Sequence, residues 1–161
     1  MFIIKKIFNN NVLLAEDEQK NEFVFMGKGI GFSKSVNESV NEVAIQKKFQ
    51  LETTNQAHIL GKFLADLDES YFKTIKEIVD HAKEKLNITL SDYIYLSLTD
   101  HISYAIERNK EGGVFRNPIR WEIKKAYAKE YEIGKRALEI IEKNLKVALP
   151  EEEMWISSLK R

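Results

Sequence analysis
The hydrophobic period of this chain changes near Thr53, and that change limits what it can fold into. Before it, short runs alternate or are rich in β-branched and aromatic residues. Phe2 to Phe8, Val12 to Ala15, Glu22 to Met26 and Val43 to Leu51 each read as a strand. After it, apolar residues return at helical spacing. Phe72, Ile75, Ile78, Val79, Ala82 and Leu86 mark one helix, and Ile94, Leu98, Ile102, Ala105 and Ile106 a second, with Thr89 or Ser91 as its cap. Asn117-Pro118 opens a third, with Ile119, Ile123, Ala126 and Tyr127 on one face. Tyr131 to Val147 continues with Ile133, Ala137, Ile140, Ile141 and Leu145, and Leu149-Pro150-Glu151-Glu152-Glu153 reads as a further helix start. The pattern predicts an α+β multidomain chain: a small four-stranded antiparallel sheet in residues 1–55, then an all-α bundle in residues 56–161. So small a sheet buries little by itself, so it is expected to pair with a copy of itself.

Composition narrows the functional classes. Lys+Arg and Asp+Glu are both 25, so net charge gives no support to a nucleic-acid partner, and any such site must rest on local clustering. There is no cysteine, which excludes disulfides and thiolate metal sites. Three scattered histidines show no metal-ligand spacing, and no nucleophile turn is visible, so neither a metal, a cofactor nor a catalytic site is expected. No apolar run has the length of a membrane span, and Lys5-Lys6 is not followed by a signal-peptide core. A cytoplasmic protein without membrane insertion is the expectation.

Two stretches at strand ends carry chemistry. Asn9-Asn10-Asn11 is a run of side-chain amides, and Met26-Gly27-Lys28-Gly29-Ile30-Gly31-Phe32 is a glycine-spaced turn with one cation and one ring. Polar turns are common, and one reading is that both stretches simply turn the chain. The other is that amides hydrogen-bond base edges, Lys6 and Lys28 reach phosphate, and the ring of Phe32 stacks on an unpaired base of RNA. In the helical part, His101 follows Asp100 and borders the apolar face of its helix. It is either a partly buried structural histidine or a phosphoryl acceptor. His58 and His81 read as ordinary surface or core histidines.

Ile7 to Val12, Met26 to Phe32, Ser97 to Ile102 and Trp121 to Leu138, in that order, resemble the BglG/SacY-type transcription antiterminators, bacterial regulators of sugar operons. The resemblance implies a co-antiterminator RNA-binding domain in residues 1–55, working as a symmetric homodimer. It implies a leader mRNA hairpin as ligand, held so that the overlapping terminator does not form. The positions that match the RNA-binding residues are Lys6, Asn9, Asn11, Gly27, Lys28, Gly29 and Phe32. Many relatives carry arginine at Lys28; lysine keeps the charge and lacks the planar fork. The helical part resembles the first PTS regulation domain of the family. There His101, with Asp100 as its neighbour, matches a histidine phosphorylated by the sugar phosphotransferase system, with a PTS phosphocarrier protein or sugar permease as donor. The family's second histidine in this domain and its second regulation domain have no counterpart after Glu153, so a C-terminally truncated domain is expected. The implied protein is a non-enzymatic antiterminator. The alternative is a dimerisation or protein-interaction remnant that no longer regulates transcription.

Overall fold
The computed structural model describes residues 1–112 and 125–151. It divides into two compact units, Met1–Leu67 and Asp68–Arg161. The helix starts expected at Asn117-Pro118 and beyond Glu151, like Trp121, lie outside the described residues.

The first unit is a four-stranded antiparallel sheet in sequence order, β1 (Ile3–Asn9), β2 (Val12–Glu16), β3 (Glu22–Met26) and β4 (Lys47–Gln50). The alternation of side chains gives it two apolar faces. Ile4, Leu13, Ala15, Phe23 and Phe25 point to one, where Ile30 and Val40 from the β3–β4 connection complete the core. Val12, Leu14, Val24 and Phe49 point to the other and are also buried. The segment after β3 also runs along the outer edge of β1: the Ile4 N–H donates to Glu38 O, and the Val40 N–H to Phe2 O, at 2.8 and 2.9 Å.

The fourth strand is shorter than its alternation predicts. Asn41 folds back, its side-chain oxygen accepting from the Val43 N–H, and Glu42–Ala44 becomes one turn of 3₁₀ helix. Val43 is left 95% exposed, and the strand starts only at Lys47. Ile45 and Phe49, of equal parity, therefore pack on opposite faces. Local capping by asparagine outcompetes the ladder here.

The unit also contains more than the sheet. Thr53 caps α1 (Thr54–Asp66) by accepting from the Gln56 N–H. This helix lays Ala57, Leu60, Gly61 and Leu64 toward the strands. The division expected near residue 55 thus falls at a helix cap, and the compact unit runs one helix further. The expected pairing with a second copy rests on how little so small a sheet buries by itself; in this chain α1 and the β3–β4 connection also pack on it.

The second unit contains α2 (Glu69–Leu86), α3 (Ile94–Lys110) and α4 (Ala128–Leu145). The apolar stripes read from the sequence meet in its core: Ile75, Ile78 and Val79 of α2, Leu98, Ile102, Ala105 and Ile106 of α3, and Ala137, Ile140 and Ile141 of α4 are buried. Tyr95 lies fully within, stacked on Phe72 at 6.0 Å, and burial pushes its phenol well above the usual range. Ser91 does contribute to the start of α3, its hydroxyl accepting from the Tyr93 N–H at 3.3 Å. No helix among the described residues is long and apolar enough to cross a membrane.

Asp68 caps α2, accepting from the Ser70 N–H and the Ser70 hydroxyl at 2.9 Å each, and these bonds lower its carboxyl below the ordinary 3.8. A carboxyl lowered by folding stabilises above its unfolded value, and that contribution is lost as pH falls through the folded one. Asp68→Ala should therefore lower the melting temperature at neutral pH. The difference from the parent should narrow in scans below pH 3.8. A gap that stays constant into acid would refute the assigned cap.

Candidate nucleic-acid interface
The turn between β1 and β2 and the loop after β3 form one hydrogen-bonded end of the sheet. The Gly27 N–H donates to Asn11 O at 3.0 Å, and the Gly31 N–H to Asn10 O at 2.8 Å. The Asn11 side-chain carbonyl accepts from the Gly29 N–H at 2.9 Å. Within the loop, the Ile30 N–H returns to Gly27 O and the Phe32 N–H to Gly29 O, and the buried side chain of Ile30 anchors it to the core.

The glycines have separate reasons. Gly27 is buried against the 3₁₀ turn: a Cβ there would lie 1.9 Å from Ala44 O. Gly29 has φ +72°, the left-handed region, with open space around it. Gly31 passes close to the first turn, where a Cβ would meet Asn9 O at 2.6 Å. The amide run and the glycine run are thus two halves of one knot.

From that knot Lys28 and Phe32 project. Lys28 is exposed, with no carboxylate within salt-bridge distance among the described residues. The ring of Phe32 is 66% exposed although its backbone is tied down. An exposed phenyl on a fixed backbone can stack on a flat partner without ordering a loop first. Asn11 keeps its side-chain nitrogen outside the knot, whose bonds use its two oxygens and its backbone N–H.

The other two candidates sit differently. Asn9 uses both ends of its amide inside the protein: Oδ1 accepts from the Asn11 N–H at 2.8 Å, and Nδ2 donates to Ala65 O of α1 at 2.9 Å. Lys6 stands earlier on β1, its ammonium over the Phe8 ring at 5.2 Å, outside the hydrogen-bonded knot. The glycine run, Gly31 included, reads in the sequence as allowing close backbone approach, but Gly31 was not among the candidate interface residues, and the part played by the backbone of Asn10 was missed. Also missed was the tie from Asn9 to α1, for which no sequence signal exists.

His101 lies in the second unit. It is half-buried and lines a narrow apolar cleft with Ile78 of α2, Ala105 of α3 and Gly134, Ala137 and Leu138 of α4. Asp100, its neighbour, is exposed. Arg108, two turns on, lies over the ring of exposed Tyr104 at 5.2 Å. His58 is edge-on to Phe8 at 6.3 Å, and His81 lines a groove between α2 and α4 with Lys85, Lys129 and Arg136.

Comparison with known proteins gives these arrangements a family. The CAT RNA binding domain matches residues 2–58 and the PRD domain residues 76–156. The chain is 44% identical to a beta-glucoside operon antiterminator of Dickeya chrysanthemi and 39% identical to transcription antiterminator LicT of Bacillus subtilis, in each case over 97% of its length. Those matches take in 55% and 56% of the two relatives, so the chain spans about half the length of the curated proteins it matches. The crystal structure of GlcT CAT-PRDI superposes with a TM-score of 0.78 at 33% identity, covering 98% of this chain and 94% of that one. With the sheet and its glycine knot matched to one domain and the helices after it to the other, the chain belongs to the antiterminator family that joins a CAT RNA-binding domain to a PRD domain.

Proposed function
We propose that this chain is a transcription antiterminator of a sugar-utilisation operon, which binds a hairpin in the leader mRNA and so keeps the overlapping terminator from forming. The observation that carries this reading is the knot of Asn9–Asn11 with Gly27–Phe32, which holds Lys28, the Asn11 amide nitrogen and the Phe32 ring together at one end of a rigid sheet. Those are a phosphate contact, a base-edge donor and a stacking surface. The protein works by binding and not by catalysis, in the cytoplasm, as a homodimer. Lys6, Gly27 and Gly29 belong to the same interface, the glycines by letting the backbone approach closely. Asn9 shapes the turn from beneath. A gel shift with the transcribed leader of the gene's own operon tests this: a retarded complex that a scrambled hairpin does not compete away is expected. Its absence at micromolar protein would reject the reading.

The same reading makes His101 the residue phosphorylated by the sugar phosphotransferase system, with a phosphocarrier protein or sugar permease as donor. A phosphoryl group brings about −1.5 to −2 charges. Set against Ala105, Ala137 and Leu138, that charge loses water, no cation lies among the described residues that line the cleft, and α3 is pushed from α4. His101→Asp imitates part of the charge, and His101→Asn is a neutral counterpart of similar size. The aspartate should melt lower by roughly 1–3 kcal/mol relative to the asparagine, the cost of a poorly paired polar group. Equal melting of the two variants in calorimetry would show that the cleft does not sense charge.

A further inference from the structure
Helices α2 and α4 of the second unit are tied at one level, where the Asn144 amide donates to the Glu77 carboxylate at 3.2 Å and Ile78, Ala137 and Ile141 are buried. Toward the end of α2 and the start of α4 they leave an open groove of about 570 Å³, a usual size for a small-molecule site. From α2 it is lined by His81 and Lys85, one turn apart. From α4 come Lys129, Glu132, Ile133 and Arg136, at the three- and four-residue steps that share one helix face. Small Ala128 and buried Ile133 give the groove an apolar floor between charged rims. Those rims are not self-neutralised. Glu139 is bound to Arg136 at 2.8 Å. Lys85 and Lys129 have no carboxylate within salt-bridge distance among the described residues, although Glu132 lines the same groove. Other lysines of the unit do find partners: Lys76 pairs with Asp80 at 2.7 Å and Lys110 with Glu107 at 3.9 Å. On a chain with equal numbers of basic and acidic residues, two ammonium groups facing one concave site from two helices concentrate positive charge there.

We propose that this groove binds a hexose phosphate, with the phosphate between Lys85 and Lys129, the sugar ring over Ile133 beside His81, and sugar hydroxyls donating to Glu132. Simpler ligands each leave part of the site unsatisfied. Inorganic phosphate covers no apolar floor and meets the Glu132 carboxylate as a like charge. An uncharged sugar gives the two ammonium groups no anion. An aliphatic or aryl phosphate displaces water from Glu132 and offers it no donor. A phosphate monoester that also carries hydroxyls answers all three, since ammonium–phosphate and hydroxyl–carboxylate pairs are both charge-assisted hydrogen bonds. None of these residues belongs to the sheet's glycine knot or lines the cleft of His101, so the inference is independent of the RNA and phosphorylation readings. A ligand that touches both helices stabilises the folded unit and raises its melting temperature.

Isothermal titration calorimetry of the whole chain with three probes tests this. Glucose 6-phosphate should bind at millimolar concentration or below, inorganic phosphate at least about tenfold more weakly, and glucose without measurable heat. Lys85→Gln with Lys129→Gln should weaken glucose 6-phosphate at least about tenfold. Both side chains are exposed, so the unliganded double variant should melt near the parent. Glu132→Ala removes the hydroxyl acceptor and the like charge together. It should weaken the sugar phosphate and tighten inorganic phosphate, opposite shifts that a distorted fold does not give. Lys110→Gln, on α3 and outside the groove, should change neither. Several results would overturn the proposal: no heat with the sugar phosphate at millimolar concentration, equal affinity for it and inorganic phosphate, binding that survives the double lysine substitution, or shifts of one sign in Glu132→Ala.

Discussion

Phe32→Ala is expected to weaken binding of the leader hairpin by roughly 1–3 kcal/mol, the worth of one base stacked on an aromatic ring. At room temperature that is about a 5- to 150-fold rise in Kd. The ring is 66% exposed and its backbone N–H is already bonded to Gly29 O, so the substitution should leave the melting temperature near that of the parent. A companion, Asn11→Asp, keeps an oxygen for the Gly29 N–H and removes the amide donor. It should also bind more weakly, because an added anion faces phosphate as well. Titration at one fixed salt concentration decides the matter, since phosphate contacts make affinity salt-dependent. Unchanged Kd values in both variants would remove the ring and the amide from the interface.

The second large effect is expected at Gly27. A Cβ there would lie 1.9 Å from Ala44 O and 3.0 Å from the carbon that bears it. Both are backbone atoms, so no side chain can swing aside. Either the loop of Lys28 lifts or the Asn41–Ala44 turn moves. Gly27→Ala should therefore cost at least the roughly 1–3 kcal/mol typical of overpacking and lower RNA affinity as well. Gly29→Ala is the comparison. It meets nothing within 4 Å and carries only the strain of φ +72°, so it should cost less. Thermal unfolding of the two variants ranks them, and a Gly29→Ala that melts below Gly27→Ala would contradict the reason assigned to each glycine.

These two glycines show what was legible in the sequence. The period of the apolar residues placed β1, β2 and β3 and the buried stripes of α2, α3 and α4, because a period is a local property of the chain. The short fourth strand was misread, since Asn41 capping one turn of 3₁₀ helix competes with an alternation that looked sufficient. The seat of α1 was invisible for a different reason. No helix was read between Thr53 and Phe72, and the spacing of Ala57, Leu60 and Leu64 does not say which surface such a helix covers. Gly61 becomes meaningful only when the Phe8 ring is seen beneath it. At the interface, the choice between a plain turn and a reading surface dissolves in part. Asn9 makes the turn, while Lys28 and Phe32 stand outside it, so the same stretch does both.

The strip of chain from Asn37 to Val40 that lies along β1 matters beyond the core it helps to close. Phe2, Ile3, Ile4 and Ile7 make the first strand the kind of segment that recruits foreign strands and seeds fibrils when its edge is bare. Here the Ile4 N–H and C=O are both occupied, by Glu38 O and the Asn37 N–H, at 2.8 Å each. An incoming strand finds the Phe2–Ile4 part of that edge already taken. Strand addition at the start of β1 is thereby opposed, and shortening the 37–40 segment would trade a modest loss of folding stability for a greater tendency to polymerise.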